Sequence, residues 1–184
     1  LRLSLETIEL VYNANPNAID GTVHHAIGKK ASLDVINFLI SKHPDGAQAQ
    51  HKGWLPLHKA CATNASIEII LFLIDCYPNG VKQRACNKLQ LPLHLAIEHC
   101  ASLDVIQCLV SKYPIAMKMA DYETQEIKTV RGWLCYVGTT TRPIAGFWGG
   151  GGLPLHLAVR DRPHGMRLLK YLILQYPDAL KSKN

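Results

Sequence analysis

The chain has 184 residues, 48% of them apolar and 18% charged, with 20 Lys and Arg against 14 Asp and Glu for a net charge of +6. That apolar share suits a packed chain and excludes an extended, highly charged disordered one. The longest apolar stretch, Ile67 to Ile74, has eight residues and contains Glu68, against the roughly 20 that a membrane-spanning helix needs.

The first segment, Ser4-Leu5-Glu6-Thr7-Ile8 through Pro16, matches Ser32 through Pro44 at a constant offset of 28. It reads as a second helix without its first, so the chain is expected to begin inside a repeat and to fray there. It lacks the apolar run and cleavage site of a secretory signal. The next segment opens with Thr22-Val23-His24-His25-Ala26 and closes at Pro44. Two more open with Leu55-Pro56-Leu57-His58 and Leu91-Pro92-Leu93-His94 and close at Pro78 and Pro114. A last one opens with Leu153-Pro154-Leu155-His156 and closes at Pro177.

From His to closing Pro the distance is 20, 20, 20 and 21 residues, while from His to His it is 34, 36 and 62. A constant segment joined by variable connections is a packed unit separated by surface loops. Inside each unit the pattern predicts a short first helix, His58 to Thr63 in one case. A second helix is opened by Ser32, Ser66 or Ser102 as N-cap, with an acid two positions later facing the positive helix end. Leu103, Ile106, Leu109, Val110 and Tyr113 recur at three- and four-residue steps and form one apolar face. The closing Pro is expected to stop the helix. One helix pair cannot bury such a face alone; stacked copies can.

The recurrent Leu-Pro-Leu-His-x-Ala, the helix pair and the period near 33 resemble the ankyrin repeat. The resemblance implies an all-α, ankyrin-type solenoid of stacked helix-turn-helix repeats with projecting β-hairpin fingers. It divides the chain into a half repeat at 1–16, repeats at about 17–50, 51–84, 87–122 and 149–184, and an irregular insertion at about 123–150. It further implies that Pro56, His58, Pro92, His94, Pro154 and His156 are structural, the His bonding backbone to brace adjacent repeats. The sequence departs from the family pattern at three places. Leu55, Leu91 and Leu153 replace the Thr that bonds the His. Ala65-Ser66 and Ala101-Ser102 stand for the Gly-His between helices, and Tyr-Pro or His-Pro for the Gly-Ala after the second.

Chemistry finds little to stand on. His24, His58, His94 and His156 recur once per repeat and so do not converge on a metal. His94 and His99 are five residues apart, where a zinc pair on one helix needs four. The glycines at 149–152 lack the Gly-Lys-Ser/Thr ending of a phosphate loop, and no GxSxG element appears. No enzyme, cofactor, metal or small-molecule substrate is expected. The six cysteines show no CxxC pair, which points to a reduced intracellular, cytoplasmic chain. Cys61 reads as a buried small hydrophobe; Cys86 and Cys135 lie in connections, as surface residues or redox-sensitive thiols. Three readings stand for the insertion, with Trp133, Tyr136, Phe147 and Trp148: a binding finger, a disordered stretch, or a gene-model error.

The resemblance places partner contacts on finger tips and the exposed side of the first helices. These are His51, Lys52, Trp54, Ala62 and Thr63, then Asn87, Lys88, Gln90, Glu98 and His99, and lastly Arg160 and Asp161. Lys82, Arg84 and Lys88 make the finger at 79–90 positive. Trp54 either binds or packs on a neighbouring finger. The expected function is a protein-interaction scaffold whose partner presents an acidic or mixed surface near Trp54 and Lys88. The alternative is nucleic-acid or polyanion binding through the basic finger; the mild charge and the missing basic stripe favour the protein partner.

Overall fold

A computed structural model describes residues 22–85, 89–119 and 166–180, with the single positions 6, 9, 10, 154, 155 and 158. The expectations about the half repeat, the insertion, Cys86, Asn87, Lys88, Cys135, His156, Arg160 and Asp161 lie outside the described residues. Seven α-helices are described: α1 Thr22–Gly28, α2 Leu33–Lys42, α3 Pro56–Ala62, α4 Ile67–Cys76, α5 Pro92–Glu98, α6 Leu103–Lys112 and α7 Met166–Gln175. Each of α1, α3 and α5 pairs with the helix after it, and α1, α3 and α5 stack on one another in an inner layer. Helices α2, α4 and α6 make the outer layer.

Local chemistry sets the helix starts. Pro56 and Pro92 occupy the first helical position, where a missing N–H costs nothing. The Leu before each Pro is buried, Leu55 to 2% exposure and Leu91 to 0%. It therefore works through packing where Thr would work through its hydroxyl. The orphan N–H of Leu55 donates to His58 Nδ1 at 3.1 Å, and that of Leu91 to His94 Nδ1 at 3.1 Å.

The serine caps differ from expectation. Only Ser102 accepts a helical N–H, from Val105 at a long 3.4 Å, while Ser32 and Ser66 accept none. The Ser66 side chain instead hydrogen-bonds the Glu68 carboxyl and holds it below the usual carboxylate range. The closing prolines do more than stop a helix. Lacking an N–H, Pro44, Pro78, Pro114 and Pro177 end the α-type ladder, and each opens a 3₁₀ turn: Pro44–Ala47, Pro78–Lys82, Pro114–Lys118 and Pro177–Leu180. These turns bury Ala47, Val81, Ala116 and Met117 in the same core as the helices.

The core repeats as the sequence does. Ile36, Ile70 and Ile106 occupy one position in α2, α4 and α6, and all are 0% exposed. Ala26, Ala60 and Ala96 recur on the inner layer and are buried, as is Ala158; a methyl side chain lets stacked helices approach closely. Between helices the backbone turns left-handed at Lys30, Asn64 and Cys100, with φ of 56°, 53° and 57°. The left-handed residue is thus the one directly before Ala31, Ala65 or Ala101.

Candidate functional site

The fingers and the inner helices carry the candidate site. In the first finger His51 and Trp54 exchange backbone hydrogen bonds, at 2.9 Å and 3.1 Å. Between them Lys52 and Gly53 both take positive φ, 52° and 77°, as a two-residue hairpin of matching twist requires. The Trp54 carbonyl also accepts His24 Nε2–H at 2.7 Å. One carbonyl thereby closes the finger and ties it to the preceding repeat.

The same tie recurs. His58 Nε2–H donates to the Gln83 carbonyl at 3.0 Å and His94 to the Met119 carbonyl at 2.7 Å. Because His58 Nδ1 accepts from Leu55 and Nε2 donates onward, the ring is fixed as one neutral tautomer. Burial pushes the His58 imidazole down to about 4, against the pull of its Gln83 hydrogen bond. Burial also lowers His24, and the nearby His51 and Lys59 add to that. Each of these three histidines hydrogen-bonds a main-chain carbonyl 25 or 30 residues further along the chain.

In the second finger Ala85 N–H donates to the Gln90 carbonyl at 2.8 Å, and Arg84 Nη1 to the Leu89 carbonyl at 2.7 Å. Gln90, expected among the contact residues, is 3% exposed. Its amide donates to Glu98 Oε2 at 2.7 Å, so it braces the finger base against α5. The half-buried Glu98 is correspondingly engaged from within. A contact role for the Gln90 side chain does not survive this placement, since a partner cannot reach it.

The other expected contact residues are accessible to different degrees. His51 and Lys52 are exposed at the first finger's tip, with the His51 ring 5.6 Å from that of His24. Trp54 is half-buried, packs against the core and meets the His58 ring edge-on at 6.5 Å. Lys82 and His99 are exposed; Ala62, Thr63 and Arg84 are half-buried. Pro56, Pro92 and Pro154 are buried, as are His58 and His94. Asn64 was missed by sequence reasoning: its side-chain amide donates to the His99 carbonyl at 2.6 Å and links two inter-helix turns. Only its place one repeat from Cys100 could have pointed to it.

Among the described residues no group of three or more His, Cys, Asp or Glu converges as a metal site. Cys61 is buried, and burial raises its thiol, while Cys76 and Cys100 are exposed. No described helix is long and apolar enough to cross a membrane.

Stacked helix pairs with hairpin fingers, clamped by one histidine per repeat, define a solenoid built to present surface. A family model for ankyrin repeats (3 copies) matches residues 23–122, more than half of the chain, and the chain belongs to the ankyrin-repeat family. Ankyrin repeats are generally protein–protein interaction modules and typically non-catalytic. A search of curated proteins finds no match.

Proposed function

We propose that this chain is a non-catalytic scaffold that binds a protein partner through its finger tips and the exposed side of its inner helices. The observation that carries the reading is the division of labour on that face. The buried His24, His58, His94 and Gln90 fix the backbone, and His51, Lys52 and His99 are left exposed on it. The four described cysteines are free thiols, which suits work in the reducing interior of a cell. The nucleic-acid alternative gains little from the basic finger, because Arg84 is half-buried and its guanidinium holds the Leu89 carbonyl.

Affinity capture with mass spectrometry tests the reading. The wild-type chain is run beside a Lys52→Ala, Lys88→Ala, His99→Ala variant, both shown folded by circular dichroism. Proteins retained by the wild type and lost by the variant are expected. An identical set from both would refute binding through this face.

A further inference from the structure

The two layers divide the charges unequally. Residues 22–33, 48–66 and 83–102, which supply the inner helices and two fingers, contain Lys29, Lys30, Lys52, Lys59, Arg84 and Lys88 against the single acid Glu98. Residues 34–47, 67–82 and 103–119, which supply the outer helices and the 3₁₀ turns after them, contain Asp34, Asp45, Glu68, Asp75 and Asp104 against Lys42, Lys82, Lys112 and Lys118. A physical reason exists for the acids: Asp34, Glu68 and Asp104 each sit in the first turn of an outer helix, at its positive end. The first turns of α1, α3 and α5 hold no acid. The inner cations have a matching reason: Lys59 sits in the last turn of α3, and Lys29 and Lys30 follow the end of α1, at the negative helix ends.

Three of them lie together. Lys29 and Lys30 are exposed just after α1. The Lys59 side chain, from α3, crosses to the same place. A Cβ added at Gly28 would lie 3.1 Å from Lys59 Cε and 3.7 Å from its Nζ. Gly28 thus leaves the room in which the lysine stem runs from one repeat to the next. The one described carboxylate on this face, Glu98, accepts the Gln90 amide. A positive surroundings shows independently at His24, where Lys59 and His51 reinforce burial in disfavouring the protonated ring.

We propose that this face takes an acidic, extended segment of a partner protein, its carboxylates set on Lys29, Lys30 and Lys59 as it crosses the inner helices. The proposal rests on the scaffold reading and gives that reading its partner chemistry. Stacked helices stand about 9 Å apart, so three of them are crossed by about six extended residues. A single strand of nucleic acid fits less well. It binds by stacking bases on exposed aromatic rings, and Trp54, the aromatic of the described inner residues, packs into the core.

Fluorescence anisotropy decides the matter with two labelled probes, an octapeptide of alternating Glu and Asp and a uridine octamer, in low salt. The peptide is expected to bind the wild type, to bind a Lys29→Glu, Lys59→Glu variant at least tenfold more weakly, and to weaken with added salt. A Lys42→Glu, Lys112→Glu variant carries the same net charge on the outer helices α2 and α6 and should stay within twofold of wild type. Because Lys59 is half-buried, a Lys29→Glu, Lys30→Glu variant is run as well, with melting curves for all. Absence of peptide binding, equal losses from inner and outer variants, or tighter binding of the uridine octamer would each overturn the proposal. Should the peptide fail while the capture experiment still loses proteins through Lys52, Lys88 and His99, the scaffold reading stands and the acidic chemistry falls.

Discussion

Acidification from about pH 7.5 to 5 is expected to weaken folding through His58. In the folded chain this ring is 1% exposed and accepts the Leu55 N–H at Nδ1. A proton on Nδ1 would set two donors against each other inside the core. The folded imidazole therefore titrates near 4, and the unfolded one near the ordinary 6.5. Between those values the unfolded chain binds more protons, so stability is full above about pH 6.5 and drains away as pH falls. A shift of that size removes about 2 kcal/mol by pH 5 and about 3 kcal/mol below pH 4. Urea unfolding at a series of pH values reads it, with His58→Gln as reference, since other histidines and the carboxylates titrate in both chains. The variant should be the less stable near pH 7.5, and the gap should close by about 2 kcal/mol at pH 5. A gap that stays constant with pH would refute the buried neutral tautomer.

The left-handed turns give a paired test. Cys100 is exposed and holds a φ of 57°, a conformation that costs a residue with a Cβ about 1 kcal/mol; Cys100→Gly should raise stability by about that much in urea unfolding. Asn64→Gly relieves the same strain but loses the bond to His99, so it should gain less than Cys100→Gly; a larger gain at 64 would count against that bond. In α4, Ile70 is 0% and Leu71 39% exposed. Ile70→Ala should cost about 3 kcal/mol and Leu71→Ala under about 1 kcal/mol by the same measurement, and equal costs would contradict the assigned core face.

Much of the architecture was legible because its signals are local and repeated. Ser32, Ser66 and Ser102 mark the outer helix starts, and the apolar steps from Leu103 to Tyr113 mark the buried face. What escaped depends on partners distant in sequence. Whether Ser66 caps a helix or bonds Glu68 is a contest between two nearby groups that residue type alone does not settle. The prolines after His43, Tyr77 and Tyr113 read as stops, because a missing N–H predicts an ending but not the 3₁₀ turn that follows. Gln90 was placed among the contacts by its finger position in the resemblance, which does not show that Glu98, eight residues on, satisfies its amide in the interior. Asn64 and Cys100 went unread as turn residues because they lack the glycine that usually announces a left-handed turn.

The histidine clamp has a consequence for how such a chain grows. His24, His58 and His94 reach forward to the carbonyls of Trp54, Gln83 and Met119. Those three side chains have nothing in common, and they need not, since every residue offers a main-chain oxygen. A duplicated unit can be spliced beside an older one without matched side chains having to arise on both sides of the new seam. Descent can then lengthen the array, shorten it or rewrite its exposed positions while the fastening stays the same.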